Sequence, residues 1–199
     1  MDSLKKEKMT PILQGLSQNI KDTKEIAEKL DFPIILDGGS LLGAYRDNGV
    51  IKGDEDDVDF AVPMETMNFK ALQILKEFGA RNFELFRLRD TVMTFKRNGS
   101  KIDLLFYKEK GFVDCDNNCE GLLYYLTLYH NKKPFALKVL PTYWDDLGET
   151  EFMGETFKCP EDIEGYLTWR FGDWRTPILR PAFSFQNYLD DKQLTEWLK

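Results

Sequence analysis

Apolar residues recur at Ile12, Leu13, Leu16, Ile20, Ile26, Ala27 and Leu30. That three-to-four residue spacing lays one apolar stripe along a helix, so a helix or broken pair is expected from Pro11 to Leu30. The run FPIILDGGS reads as a short buried strand ending in glycines, and SLLGAYRD as a short helix with Ser40 as N-cap, closed before Asn48-Gly49. VDFAV is the next strand. Pro63 to Phe78 forms a second amphipathic helix with Met67, Ala71, Leu72, Leu75 and Phe78 on its apolar side and Gly79 at its end. FELFRLRD, TVMTFKR and KIDLLFYKEK follow as strands, the last two joined by the turn Asn98-Gly99-Ser100. LLYYLTLYH and FALKVL continue the strand pattern across the turn NKK, and Pro160, Glu161 and Asp162 open a last helix that Gly172 ends.

These elements predict one α/β (α+β) domain, a mixed sheet flanked by helices with a C-terminal strand and helix extension. With no repeat and no low-complexity linker, residues 1–199 read as a single unit. Its parts are an N-terminal helical segment (1–32), a core (33–110) and a C-terminal extension (111–199).

Composition narrows the function. The chain is 42% hydrophobic and 31% charged with a net charge of −7, and it has no block of Lys and Arg, which argues against a nucleic-acid partner. Neither an apolar signal core nor a run of 18 apolar residues occurs, so a cytoplasmic protein with no membrane span is expected. Cys115, Cys119, Cys159 and His130 could form a Cys3His zinc site, but three reduced thiols and a surface imidazole fit better, and a structural zinc is not expected. Asn98-Gly99-Ser100 matches a glycosylation pattern but reads as a hairpin turn.

Between Asp54 and Asp59 the chain places five carboxylates in six residues. Like charges so close repel, so either a solvated turn or a cation must account for them. Alternation along a strand sends Glu55, Asp57 and Asp59 one way and Asp56, Val58 and Phe60 the other. Two carboxylates on one face suit Mg²⁺, which prefers oxygen donors. Asp103, a lone acid in the apolar strand KIDLLFY, is costly there unless paired or metal-bound, and is the third candidate ligand. Gly38-Gly39-Ser40, between a strand and a helix start, can offer backbone N–H groups to a phosphate. The sequence there is neither a P-loop, a nucleophile elbow nor a dinucleotide fingerprint. Tyr143, Trp144, Tyr166, Trp169, Phe171 and Trp174 are read as core rather than as stacking platforms.

The string GGSLLGAYRDNGVIKGDEDDVDF resembles the LicD/fukutin family of the DNA-polymerase-β-like nucleotidyltransferase superfamily. A second block, with Pro160, Tyr166, Leu167, Phe171, Gly172, Trp174 and Pro177, is similar to that family's tail, with Phe171 where a Tyr is usual. The resemblance runs from about Pro33 to Pro177. Lys52-Gly53 replace the family's Pro-Trp before the acids with one residue extra, which brings Glu55 into the first acid position. The resemblance implies a nucleotidyltransferase-like fold and a Mg²⁺-dependent transferase, with Mn²⁺ as a substitute. It would pass a phospho-alcohol group (phosphocholine, ribitol phosphate or glycerol phosphate) from a CDP-linked donor to a glycan or polysaccharide hydroxyl. Carried over, Asp57, Asp59 and Asp103 hold the metal with Glu55 as a further ligand. Gly39, Ser40 and Arg46 then meet the phosphates. The other reading of the same acids is a nucleotidyltransferase moving NMP from an NTP to a protein, RNA or small molecule.

Overall fold

The structure, a computed structural model, describes residues 10–115, 119–130, 133–139, 142–177 and 188–189. Helix α1 spans Pro11–Leu30, as the periodicity predicts. Thr10 caps it by accepting the Leu13 N–H at 3.3 Å, and Asp31 ends it in a left-handed conformation. Strand β1 (Ile35–Leu36) is short because Asp37 turns the chain at once into α2 (Gly38–Leu42). Asp37, not Ser40, is the N-cap, since its carboxylate accepts the Gly38 N–H at 2.7 Å. A π-helical turn, Gly43–Asp47, follows and closes at left-handed Asn48.

Strand β2 (Asp57–Pro63) leads into α3 (Met64–Ala80). That helix runs through Gly79 and ends at Arg81, and Leu72 points to solvent, 82% exposed; Ile74 and Phe78 bury instead. Strands β3 (Glu84–Arg89), β4 (Val92–Arg97) and β5 (Ser100–Cys115) come next, with β4 and β5 joined at Asn98-Gly99. Both turn residues have positive φ, the twist a tight hairpin requires. Beyond these lie β6 (Cys119–His130), β7 (Lys133–Val139), α4 (Thr142–Asp145), β8 (Leu147–Phe152), β9 (Glu155–Pro160), α5 (Ile163–Phe171) and β10 (Tyr188–Leu189). Pro160 therefore closes a strand, and Asp162 caps α5. Most of the turn NKK lies outside the described residues.

The core is a seven-stranded mixed sheet in the order β3-β4-β5-β2-β1-β9-β8. Strand β5 runs parallel to β2 over its first half, and beyond that it pairs with β6, which continues through β7 to β10. Helices α1 and α3 cover one face, over Val58, Phe60, Ile102, Leu104 and Phe95, with Phe78 of α3 stacked on Phe95 at 3.9 Å. The opposite face is left for chemistry. Among the described residues no helix is long and apolar enough to cross a membrane.

Candidate functional site

The parallel ladder between β2 and β5 sets Asp57 opposite Lys101 and Asp59 opposite Asp103. Paired residues share a face, so Asp57 and Asp59 of β2 and Asp103 of β5, 44 positions beyond Asp59, are brought to neighbouring strands on the face away from α1 and α3. The expected alternation holds: Val58 and Phe60 are fully buried while Asp57 and Asp59 are only partly so. Asp57 Oδ1 and Asp103 Oδ1 are buried oxygens without a hydrogen-bond partner. Leaving such an oxygen unpaired is costly, and a cation would satisfy it. Asp57 Oδ2 meets Lys101 Nζ at 3.3 Å.

Burial and charge crowding both act on these carboxyls. Burial, then the charges of Asp57, Asp103 and Asp37, push the Asp59 carboxyl well above the usual carboxylate range, and Arg170 only partly offsets them. Burial raises Asp103 as well, against a lowering contribution from the Thr94 hydroxyl. An all-oxygen donor set under this strain fits a hard divalent ion. Among the described residues no three Asp, Glu, His or Cys side chains are already gathered into a ready coordination shell.

The glycine turn lies directly against these acids. Gly38 has φ +57°, and a Cβ there would stand 2.6 Å from Asp59 Oδ2 and 3.5 Å from Arg170 Nη2. Only glycine lets the backbone come this close to the carboxylate. Ser40 Oγ accepts the Asp59 N–H at 2.9 Å, tying α2 to β2. Gly39 has Asp54 Oδ2 at 3.6 Å from its Cβ position, so Asp54 is the acid of the upstream turn that reaches the glycines. Glu55 is half-buried, and its charge adds to the burial and to the Asp57 and Asp56 charges that raise the Asp54 carboxyl. Arg46, placed at the phosphates by the family resemblance, grips Asp47 through two bonds of 2.9 and 2.7 Å and donates to the Trp174 carbonyl at 3.2 Å.

Four residues in the site were not singled out by sequence as charge-bearing. Asp37, 1% exposed, accepts from Tyr107 Oη at 2.8 Å and from Tyr166 Oη. Arg170 Nη1 stands 3.6 Å from Asp37 Oδ1, 3.2 Å from Tyr166 Oη and 3.4 Å from Tyr107 Oη. Burial drives both tyrosines far up, so they stay protonated donors. This network walls the site on the α5 side. A sequence signal existed in the buried-type charges Asp37 and Arg170 inside apolar segments, but nothing local joins residues 133 apart. The aromatics behave as core: Tyr166, Trp174 and Trp144 are buried, with Tyr107 packed on Trp144 at 4.6 Å.

The backbone positions of the three cysteines and the histidine are set by the sheet. Cys115 and Cys119 pair at the β5–β6 turn, His130 ends β6, and Cys159 lies on β9 beyond β2 and β1. The side chains of Cys115, Cys119 and His130 lie outside the described ones.

No curated protein matches the chain. A family model described as LicD/FKTN/FKRP, nucleotidyltransferase domain, matches residues 31–162, from the turn before β1 to the cap of α5. Spanning well over half of the 199 residues and all the acids above, that match makes the chain a member of the LicD/FKTN/FKRP nucleotidyltransferase-domain family.

Proposed function

We propose that the protein is a divalent-metal-dependent phosphotransferase that moves a phospho-alcohol group from a CDP-activated donor to a glycan hydroxyl and releases CMP. Family membership supports a transferase acting in glycan modification. The observation that carries the reading is the pairing of Asp59 with Asp103 across β2 and β5, beside a glycine turn and with two buried carboxylate oxygens in need of a partner. Asp57, Asp59 and Asp103 are the residues that would hold Mg²⁺ or Mn²⁺. When bound, such an ion supplies charge neutralisation to the diphosphate and the transferring phosphoryl group.

The chain's own residues do the positioning. Gly39 and Ser40 at the start of α2 line the approach of the donor phosphates. Arg170 offsets the carboxylate charge from behind. As the acceptor oxygen bonds to phosphorus and the bond to CMP breaks, the hydroxyl proton passes to a carboxylate, Asp59 or Asp103.

The test mixes protein and Mg²⁺ with CDP-choline, CDP-ribitol or CDP-glycerol and a glycan acceptor, and measures CMP. Asp57→Asn is expected to cut turnover by about 10²–10³-fold, the usual loss of one charge-stabilising group, with the fold intact by circular dichroism. Wild-type turnover in that variant removes the metal assignment. Pyrophosphate released from an NTP, without CMP from any CDP-alcohol, replaces the reading with nucleotidyl transfer.

A further inference from the structure

The ladders line up Arg87 of β3 opposite Thr94, Thr94 opposite Asp103, and Asp103 opposite Asp59. The neighbouring row reads Glu84, Lys96, Lys101 and Asp57. Because paired residues share a face, the carboxylates run without a break into a basic margin on β3 and β4. Two strand spacings, about 10 Å, separate Arg87 from Asp103, and a guanidinium on its stem covers most of that gap.

The margin is shaped by an irregularity. Pairing of β3 with β4 slips between Leu85 and Arg87. Such a bulge sets an extra residue into one strand and re-aims its side chains, often beside active sites. Phe86 at the bulge is 48% exposed, like the rest of β3, with Lys96 Nζ 3.3 Å and the Arg87 guanidinium 5.9 Å from its ring centroid. A ring face attracts cations, so both positive heads gather at Phe86. Among the described residues, neither Arg87 nor Lys96 has a carboxylate at ion-pair distance, whereas Lys101 meets both Asp57 and Asp56. A cleft of ≈ 350 Å³ adjoins Lys96 and Lys101, lined also in part by Asp56, Glu84, Arg97 and Asn98. The other end of the acid face is closed by Tyr107, Tyr166 and Arg170. An anionic ligand of the acids therefore has its open side toward β3 and β4.

We propose that Arg87 and Lys96, bracketed by Phe86, are the anion-binding margin that receives the diphosphate of a nucleotide-activated donor, taking the phosphate role that the family resemblance gave to Arg46. The inference rests on the proposed function, which supplies a diphosphate at this face. Two charges on one side of the diphosphate and a metal-holding carboxylate set on the other would fix its line of attack.

Calorimetric titration of CDP and of inorganic pyrophosphate, each with Mg²⁺, tests it on the full chain. Arg87→Gln with Lys96→Gln is expected to weaken both ligands about 100-fold, roughly tenfold per charge-assisted bond. Arg87→Lys should recover part of the loss, and the melting temperature should change little, because Arg87 is exposed, Lys96 is half-buried, and neither is ion-paired to a carboxylate among the described residues. If the wild type binds CDP and the double variant binds it equally, the margin is overturned while the proposed function stands. If the wild type binds neither CDP nor pyrophosphate, the proposed function falls and the margin with it.

Discussion

Gly38 carries the tightest constraint at the scale of one residue. Its positive φ and the 2.6 Å approach of Asp59 Oδ2 to its Cβ position act together. Alanine there must strain the backbone or displace the carboxylate, at about 1–3 kcal/mol. Gly38→Ala is therefore expected to lower the melting temperature and to weaken Mg²⁺ binding, whereas Gly79→Ala, with open space around it, should do neither. Both effects are read by a melting scan with and without Mg²⁺. A doublet of glycines before a helix was legible as a phosphate-type turn. That the first glycine makes room for an acid 21 positions later was not, because the contact crosses from α2 to β2.

At the scale of elements, α1 is held to the outer strands by ion pairs. Asp22 on α1 meets Arg97 of β4 and, at 3.4 Å, Arg81 after α3. Burial pushes the Asp22 carboxyl up, but the hydrogen bonds from Arg97 and Gln18 and the two arginine charges outweigh it and hold the group below its ordinary 3.8. A carboxylate lowered in the folded state stabilises above the unfolded pKa and loses that contribution as pH falls through the folded one. Asp22→Asn should thus cost about 1 kcal/mol at neutral pH, with the difference from wild type vanishing under strongly acidic conditions in urea melts. Periodicity located α1 from end to end because its apolar stripe and its caps agree. For α3 it put Leu72 inside, since hydropathy cannot tell which of two adjacent apolar positions faces the sheet. In α2 the capping role went to Asp37 because Asp37 is also the acceptor for two tyrosines from β5 and α5.

For the molecule as a whole, the acid face is a store of unfavourable charge. Asp59, Asp103 and Asp54 are all raised, chiefly by burial and then largely by neighbouring carboxylates. A carboxyl raised on folding binds more protons folded than unfolded, so its contribution to stability falls as pH rises above 3.8. Mg²⁺ held by these groups would reverse that trend. Its stabilisation should be small at pH 5 and larger at pH 8, approaching about 2.7 kcal/mol at a hundredfold excess over its dissociation constant. Differential scanning calorimetry with Mg²⁺ against chelator reads this directly, and equal shifts at both pH values would sink the idea. Asp57→Asn and Asp103→Asn should each remove most of the Mg²⁺ effect.

The amino-acid sequence by itself determined the mixed α/β class, the helix at Pro11–Leu30, the Asn98-Gly99 hairpin, and the strand alternation that puts Asp57 and Asp59 on one face. Those are local properties, set by side-chain period, caps and turn chemistry within a few residues. Long-range packing set the register that seats Asp103 beside Asp59, the arrival of Arg170 and Tyr166 behind Asp37, the ion pair of Arg46 with Asp47, and the juxtaposition of Arg87, Lys96 and Lys101 on adjacent rows of β3, β4 and β5. Each of these depends on how strands distant in the chain pair and how buried charges find partners. A one-residue slip in any ladder would turn the same side chains to the opposite face.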